Sequence, residues 1–409
     1  MRKLVVDAEE GPVTPVVLLT LPLHTANEHL FPKLESFKCE HTSEALIPLI
    51  PSFLSHKTTK IDIQFSISIS APTVASMIAR LSKLCPDLKC ITFGPLPRDP
   101  AITEVVSELL LSRNQDSLQY FRVDSPLTEE AREVVFRLPK LSALWVVIQG
   151  HTQIPSVALP NLIMIDIQYD DHLDWLQGFR GAILGGLEDI YINSESEQIG
   201  DFLSEFTSVA LTTSASATFS AFRFNTSQSW DPNYRSLLPF TQLKDLQIEF
   251  SCENHCSSRV DDAIIKDLVQ AMPQLEILKL GDAPCRARRG ATVKGLITLA
   301  HGCRHLSELR IHFQAASLGG VTADLPVPSD DETVVRRQDC VLTELEVGEI
   351  PISTDSLLVT TMVLLQIFPR LLNIEFVDKR WKSVAENIKL FQQIGSFVQH
   401  AGKVYLLYL

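Results

Sequence analysis

Apolar runs long enough to cross a bilayer are missing from this 409-residue chain. The stretch from Val13 to Leu23 is broken by Pro15 and Pro22 and falls short of the roughly 20 residues a spanning helix needs. Asp7, Glu9 and Glu10 interrupt the N-terminus before a signal-peptide core could form, so neither export nor membrane anchoring is expected. Cysteine is sparse, eight residues scattered through the chain, which excludes a disulfide framework and fits reduced thiols of the cytoplasm or nucleus. Basic charge is in deficit: 36 Lys+Arg against 49 Asp+Glu leave a net charge of -13. Long-range electrostatics therefore oppose general nucleic-acid or anionic-membrane binding.

Catalytic signatures are also missing. The sequence contains no Gly-x-x-x-x-Gly-Lys-Ser/Thr phosphate loop, no Gly-x-Ser-x-Gly elbow and no His-Glu-x-x-His pair, and no cofactor or catalytic residue is expected.

Leucine is what the chain has in quantity. The pattern apolar-x-x-apolar-x-apolar recurs in thirteen windows starting at residues 34, 58, 88, 118, 141, 162, 187, 219, 243, 275, 306, 342 and 371. Leu34-Phe37-Cys39, Leu141-Leu144-Val146 and Leu275-Leu278-Leu280 are typical, and Thr58-Ile61-Ile63 is the weakest. Twelve steps lead from the first window to the last, on average about 28 residues each, a leucine-rich-repeat period. The fifth position of each window holds no aliphatic residue, running from Lys38 and Asp62 to Glu346 and Glu375, as a strand with one buried and one solvated face requires.

Between the windows, Thr73 to Leu84 and Asp261 to Met272 show apolar residues at helical spacing. Prolines 32, 86, 139, 160, 273 and 369 each stand two positions ahead of a window, where they stop a helix. The expected fold is one α/β leucine-rich-repeat solenoid over residues 1–409, with parallel strands on a concave side and strand, loop and helix in each repeat. The ninth position carries no Asn or Cys ladder, reading Thr42, Ser66, Leu96 and Pro126 at the start. Residues 315–341 read as a mobile loop insertion, and Met1-Leu4-Val6 and Val404-Leu407-Leu409 as terminal strands with apolar edges.

Stretches such as Leu30 to Phe37, Leu84 to Ile91, Asp261 to Leu280 and Leu345 to Gly348 resemble the irregular repeat region of fungal F-box leucine-rich-repeat proteins. The resemblance covers nearly the whole chain. It implies a protein-binding module that holds the substrate of a cullin-type ubiquitin ligase. The family's N-terminal F-box is not found in the short segment before Leu34, so a Skp adaptor and cullin are expected as partners only if an F-box lies upstream. The alternatives are a free-standing repeat scaffold without a ubiquitin link, or a metal protein or enzyme using Cys/His loops.

Candidate contacts follow from the fifth-position row. Arg122, Trp145, Asp166, Tyr191 and Arg223 occupy it in five consecutive windows, and Trp, Tyr and Arg dominate measured interface energies. They are expected to line one hot spot for an unidentified protein partner; the alternative is that Trp145 and Tyr191 pack against each other over Asp166 beneath a neighbouring loop. Arg286, Arg288 and Arg289 form the one basic knot, suited to an acidic or phosphorylated segment or paired with Asp261 and Asp262. Cys252, His255 and Cys256, with His301, Cys303 and His305 further on, are ligand types for zinc without the spacing of a finger or ribbon; no metal is expected. Ser329-Asp330-Asp331-Glu332 lies in the long loop, and the sequon Asn225-Thr226-Ser227 begins at a strand end.

Overall fold

The computed structural model describes residues 2–7, 30–112, 117–149, 154, 157–170, 173–184, 186–196, 199–213, 218–228, 230–251, 260–281, 290–314, 340–347, 350 and 352–406, with side chains of the last helix described to residue 394. The chain divides into two compact units, Met1–Gln198 with Ser208–Thr218, and Ile199–Thr207 with Phe219–Leu409.

In the first unit eight strands pair in parallel and in chain order: β1 (Lys3–Asp7), β2 (Ser36–Thr42), β3 (Lys60–Phe65), β4 (Cys90–Gly94), β5 (Tyr120–Pro126), β6 (Ala143–Ile148), β7 (Met164–Tyr169) and β8 (Asp189–Ser194). The second unit repeats the arrangement with β9 (Ala221–Thr226), β10 (Asp245–Phe250), β11 (Ile277–Leu280), β12 (Glu308–Arg310), β13 (Glu344–Glu346) and β14 (Asn373–Glu375). Each strand falls on a sequence window, β1 on the N-terminal copy, and the fold is the α/β leucine-rich-repeat type. Every apolar position of the thirteen windows is buried except Phe376, which is half-buried. Removing those side chains from water is the main stabilising contribution, about 1.5–3 kcal/mol for each large one.

Repeat length decides what connects the strands. The longer repeats whose connections are described contain a full helix, for example Ala71–Leu84, Pro100–Leu111, Asp262–Ala271 and Leu357–Ile367. The expectation of such a helix in every repeat fails in the short repeats that open at Leu34, Leu118, Leu141, Leu162 and Phe219. There the chain uses the single turn Ile50–Phe53, the short helix Glu129–Val135, the 3-10 turns Leu173–Phe179 and Tyr234–Leu237, or the paired two-residue strands Ala158–Leu159 and Ile183–Leu184. Aromatics fill these places: Trp175 lies 5.6 Å from Tyr169 and 6.0 Å from Phe179.

Helix starts are capped by short polar side chains that satisfy otherwise orphaned N–H groups. Asp99 accepts from Ala101 N at 2.8 Å, and Asp261 from Ala263 N and Ile264 N at 3.0 and 2.9 Å. At the other end, the prolines before the windows sit in the second position of a β-turn. Leu34 N donates to Phe31 O at 3.0 Å and Leu275 N to Met272 O at 3.3 Å, bracketing Pro32 and Pro273, where a fixed φ favours the turn.

A backbone ladder runs along each unit in place of a side-chain one. The carbonyl of the second window position accepts from two successive N–H groups of the next repeat: Glu35 O from Thr59 N and Lys60 N at 2.9 and 3.1 Å, Gln119 O from Ser142 N and Ala143 N at 2.8 and 3.2 Å. In the second unit Lys244 O accepts from Glu276 N and Ile277 N at 2.7 and 2.9 Å. Hydroxyls reinforce it, Ser142 Oγ donating to Gln119 O at 2.8 Å and Ser307 Oγ to Glu276 O at 3.0 Å.

The expected C-terminal strand is corrected. Val404 lies in the helix Trp381–Leu406, and Leu407 and Leu409 lie outside the described residues. Trp381, Val384 and Ile388 are buried at 3-4 spacing, and the Trp381 indole donates to Ile350 O at 2.7 Å. That apolar stripe fixes a helix. Of the 315–341 insertion, residues 315–339 lie outside the described residues.

Candidate functional site

The sheet of the first unit buries the fourth and sixth window positions and turns the fifth and seventh to the opposite face. Pairing puts the fifth positions in strict register: Asp62 beside Thr92, Thr92 beside Arg122, Arg122 beside Trp145, Trp145 beside Asp166, and Asp166 beside Tyr191. The structure thus brings together Arg122, Trp145, Asp166 and Tyr191. Arg223 stands at the head of the second unit's own row, followed by Gln247, Lys279, Arg310, Glu346 and Glu375.

Arg122 stacks on Trp145, its guanidinium carbon 3.8 Å from the ring centroid, a cation–π contact. Asp166 departs from the solvated character its position suggested. It is only 6% exposed, between the half-buried rings of Trp145 and Tyr191, and accepts one hydrogen bond from the Asn193 amide at 3.2 Å. Burial pushes its carboxyl up to about 7, against the opposing hydrogen bond from Asn193 and the charge of Arg122.

The seventh position adds residues that fifth-position reasoning missed. Asp124 lies two residues after Arg122 on the same face, and burial raises its carboxyl above the usual range while Arg122 lowers it. Between Arg122 and Pro126 the register of β5 slips, so residues 122 to 126 span only 145 to 147 of β6. Such bulges re-aim side chains and cluster beside functional sites. Room for the carboxylate comes from the neighbouring strand: a Cβ on Gly94 would clash directly with Asp124 Oδ2. Among the described residues Asp124 Oδ1 has no donor and the Trp145 indole Nε1 no acceptor, although both atoms are buried. Native interiors satisfy nearly all such groups, and these two lie on adjacent strands of the sheet.

A clasp crosses the strand ends above this patch. Arg98, in the loop after β4, donates to both carboxylate oxygens of Glu195 after β8 at 3.1 and 3.2 Å, and Gln168 donates to Glu195 Oε1 at 2.7 Å. Beside it Arg98, Thr103, Pro126, Thr128, Arg132 and Gln149 line a cleft of about 470 Å³.

The row of the second unit is closed by ion pairs. Arg223 Nε donates to Asp245 Oδ2 at 2.9 Å, and Gln247 donates to Asp245 Oδ1 at 2.9 Å. Arg310 is held between Glu249 and Glu346, the latter at 3.3 Å, and Lys279 meets Glu308 at 2.8 Å. Arg223 is therefore committed to Asp245 within its own unit.

The remaining candidates separate. Arg286, Arg288 and Arg289 lie outside the described residues, as do Cys252, His255 and Cys256 and the serine at 329. The carboxylates suggested as partners of the basic loop are engaged: Asp261 caps its helix, and Asp262 accepts from Thr292 N at 2.7 Å. Cys303 is buried, and burial pushes its thiol up to about 12, whereas His301 and His305 are exposed. No group of three His, Cys, Asp or Glu able to hold a metal occurs among the described residues. No helix among them is long and apolar enough to cross a membrane.

No protein-family profile matches the chain, and no curated protein matches it by sequence. Among solved structures, the chain is similar to a Bacteroides fragilis protein determined by a structural-genomics consortium, with 12% identity and a TM-score of 0.32 over 62% of this chain and 67% of that one.

Proposed function

We propose that this protein is a protein-interaction scaffold and that the partner docks on the face of the first unit formed by Arg122, Trp145, Asp166 and Tyr191. The alignment of these four side chains in one register row carries the reading. A rigid parallel sheet supplies preorganised positions, and the row concentrates the residue types that anchor interfaces. Hydrophobic burial accounts for the opposite face but not for two aromatics and a stacked arginine on this one. The reading assigns no catalytic residue or cofactor.

At a finer level, the resemblance to fungal F-box leucine-rich-repeat proteins suggests that the scaffold holds the substrate of a cullin-type ubiquitin ligase. Support for that step is confined to the repeat stretches quoted above. Its test is co-purification of the complete gene product with a Skp adaptor; no adaptor in the complex overturns the ubiquitin link and leaves the scaffold reading standing. For Arg286, Arg288 and Arg289 the proposed role is a peripheral contact to an acidic segment, screened by salt. A photo-crosslinking residue placed at Tyr191 tests the docking face: partner capture there and not at Gln247 is expected, and capture only at Gln247 contradicts it.

A further inference from the structure

We propose that the docking face of the first unit is built for a basic peptide segment, with a lysine or arginine side chain of the partner seated between Asp124 and Asp166 beside Trp145. This rests on the reading of that face as the binding surface and names the chemistry of what it binds.

The argument starts from the charge inventory. At the fifth and seventh positions of β5 to β8 stand Arg122, Asp124, Asp166 and the uncharged Trp145, Val147, Gln168, Tyr191 and Asn193. One cation thus faces two carboxylates, and that cation is stacked on the Trp145 ring. The Arg98 charge beside the patch is taken by Glu195. Asp124 Oδ1 is left without a donor among the described residues, within the register slip of β5 and in the space that the bare backbone of Gly94 leaves open. Two poorly solvated carboxylates sharing one guanidinium are short of positive charge. An incoming ammonium or guanidinium supplies it, and the half-buried indole and phenol rings cover its alkyl stem. Burial already raises both carboxyls, so a cation that charges them gains where water cannot.

Selection of short random peptides displayed on phage against the intact chain at pH 7.5 tests this. Enriched peptides should share a Lys or Arg, and binding measured by fluorescence anisotropy should weaken about thirtyfold or more when that residue becomes norleucine. The same loss is expected in the Asp124→Asn/Asp166→Asn protein, whose fold is checked by its thermal melt. Affinity should rise from pH 6 to 8 as Asp166, whose carboxyl burial pushes up to about 7, ionises; Arg122, Asp124 and Tyr191 are the other titratable groups on that face. Peptides that require Trp145 but carry no basic residue, or that ignore both Asn substitutions, overturn the proposal while leaving the docking face in place. Peptides indifferent to Trp145→Ala, or no enrichment at all, overturn both.

Discussion

Arg122 and Trp145 occupy paired positions of adjacent strands, and the guanidinium carbon of the first lies 3.8 Å from the ring centroid of the second. The contact orients the arginine across the sheet, where its charge lowers the carboxyls of both Asp124 and Asp166 without bringing either back to its ordinary value. Arg122→Ala should therefore move the Asp166 titration upward from about 7. Carboxyl-carbon NMR of labelled aspartates reads the shift directly. An unchanged midpoint would show that Arg122 does not govern the pair.

Asp166 also links the patch to stability. In the unfolded chain an aspartate titrates near roughly 4, whereas in the folded chain burial holds Asp166 protonated to about 7. Between these values the folded state binds the extra proton, so the contribution of Asp166 to stability falls as pH rises through that window and stays lost above it. Asp166→Asn should raise the melting temperature at pH 8 by the equivalent of about 1–4 kcal/mol and leave it nearly unchanged at pH 4. Parallel thermal melts at the two pH values check the sign; equal effects at both remove the pH linkage.

Gly94 and Asp124 form a steric pair. The methyl group of Gly94→Ala would collide with Asp124 Oδ2, and because that atom ends a side chain that can turn aside, the expected destabilisation is only about 0.5–1.5 kcal/mol. Asp124→Ala removes the obstacle, so the double variant should recover most of the loss. Additive losses in a double-mutant cycle would place the strain elsewhere.

The buried face provides the contrast. Leu144, fully buried immediately before Trp145 in β6, should cost about 2–5 kcal/mol when cut to alanine because a cavity remains. Trp145→Ala should cost less stability, because the indole already abuts the solvated face. Urea melts compare the two; a larger loss at Trp145 would make it a core residue rather than an anchor.

How much of this was legible in the sequence differs by residue. The windows were readable because the apolar spacing recurs with a non-aliphatic fifth position at a near-regular period, as strands with alternating faces require, and β5 to β8 fall where Leu118, Leu141, Leu162 and Leu187 predict. Asp124 was within reach of the same rule, since residue 124 shares a face with residue 122. Its unpaired oxygen was not, because that depends on Gly94 of the preceding repeat and on the register slip after Arg122. The fifth-position row made Asp166 look solvated, but the same row allowed the alternative that Trp145 and Tyr191 pack over it, and its 6% exposure agrees with that cover. Val404-Leu407-Leu409 fits the window pattern as well as a true strand does; the competing stripe of Trp381, Val384 and Ile388 shows why the helix prevails. The backbone ladder through the carbonyls of Glu35, Gln119 and Lys244 has no side-chain signature at all.

The affinity of the recovered partner for Trp145→Ala and Tyr191→Ala, measured beside Gln247→Ala at matched thermal stability, tests the central claim most directly. The docking face in the first unit predicts a loss of about 2 kcal/mol or more at each aromatic and none at Gln247. Equal affinity in all three would contradict it and place the partner on another surface.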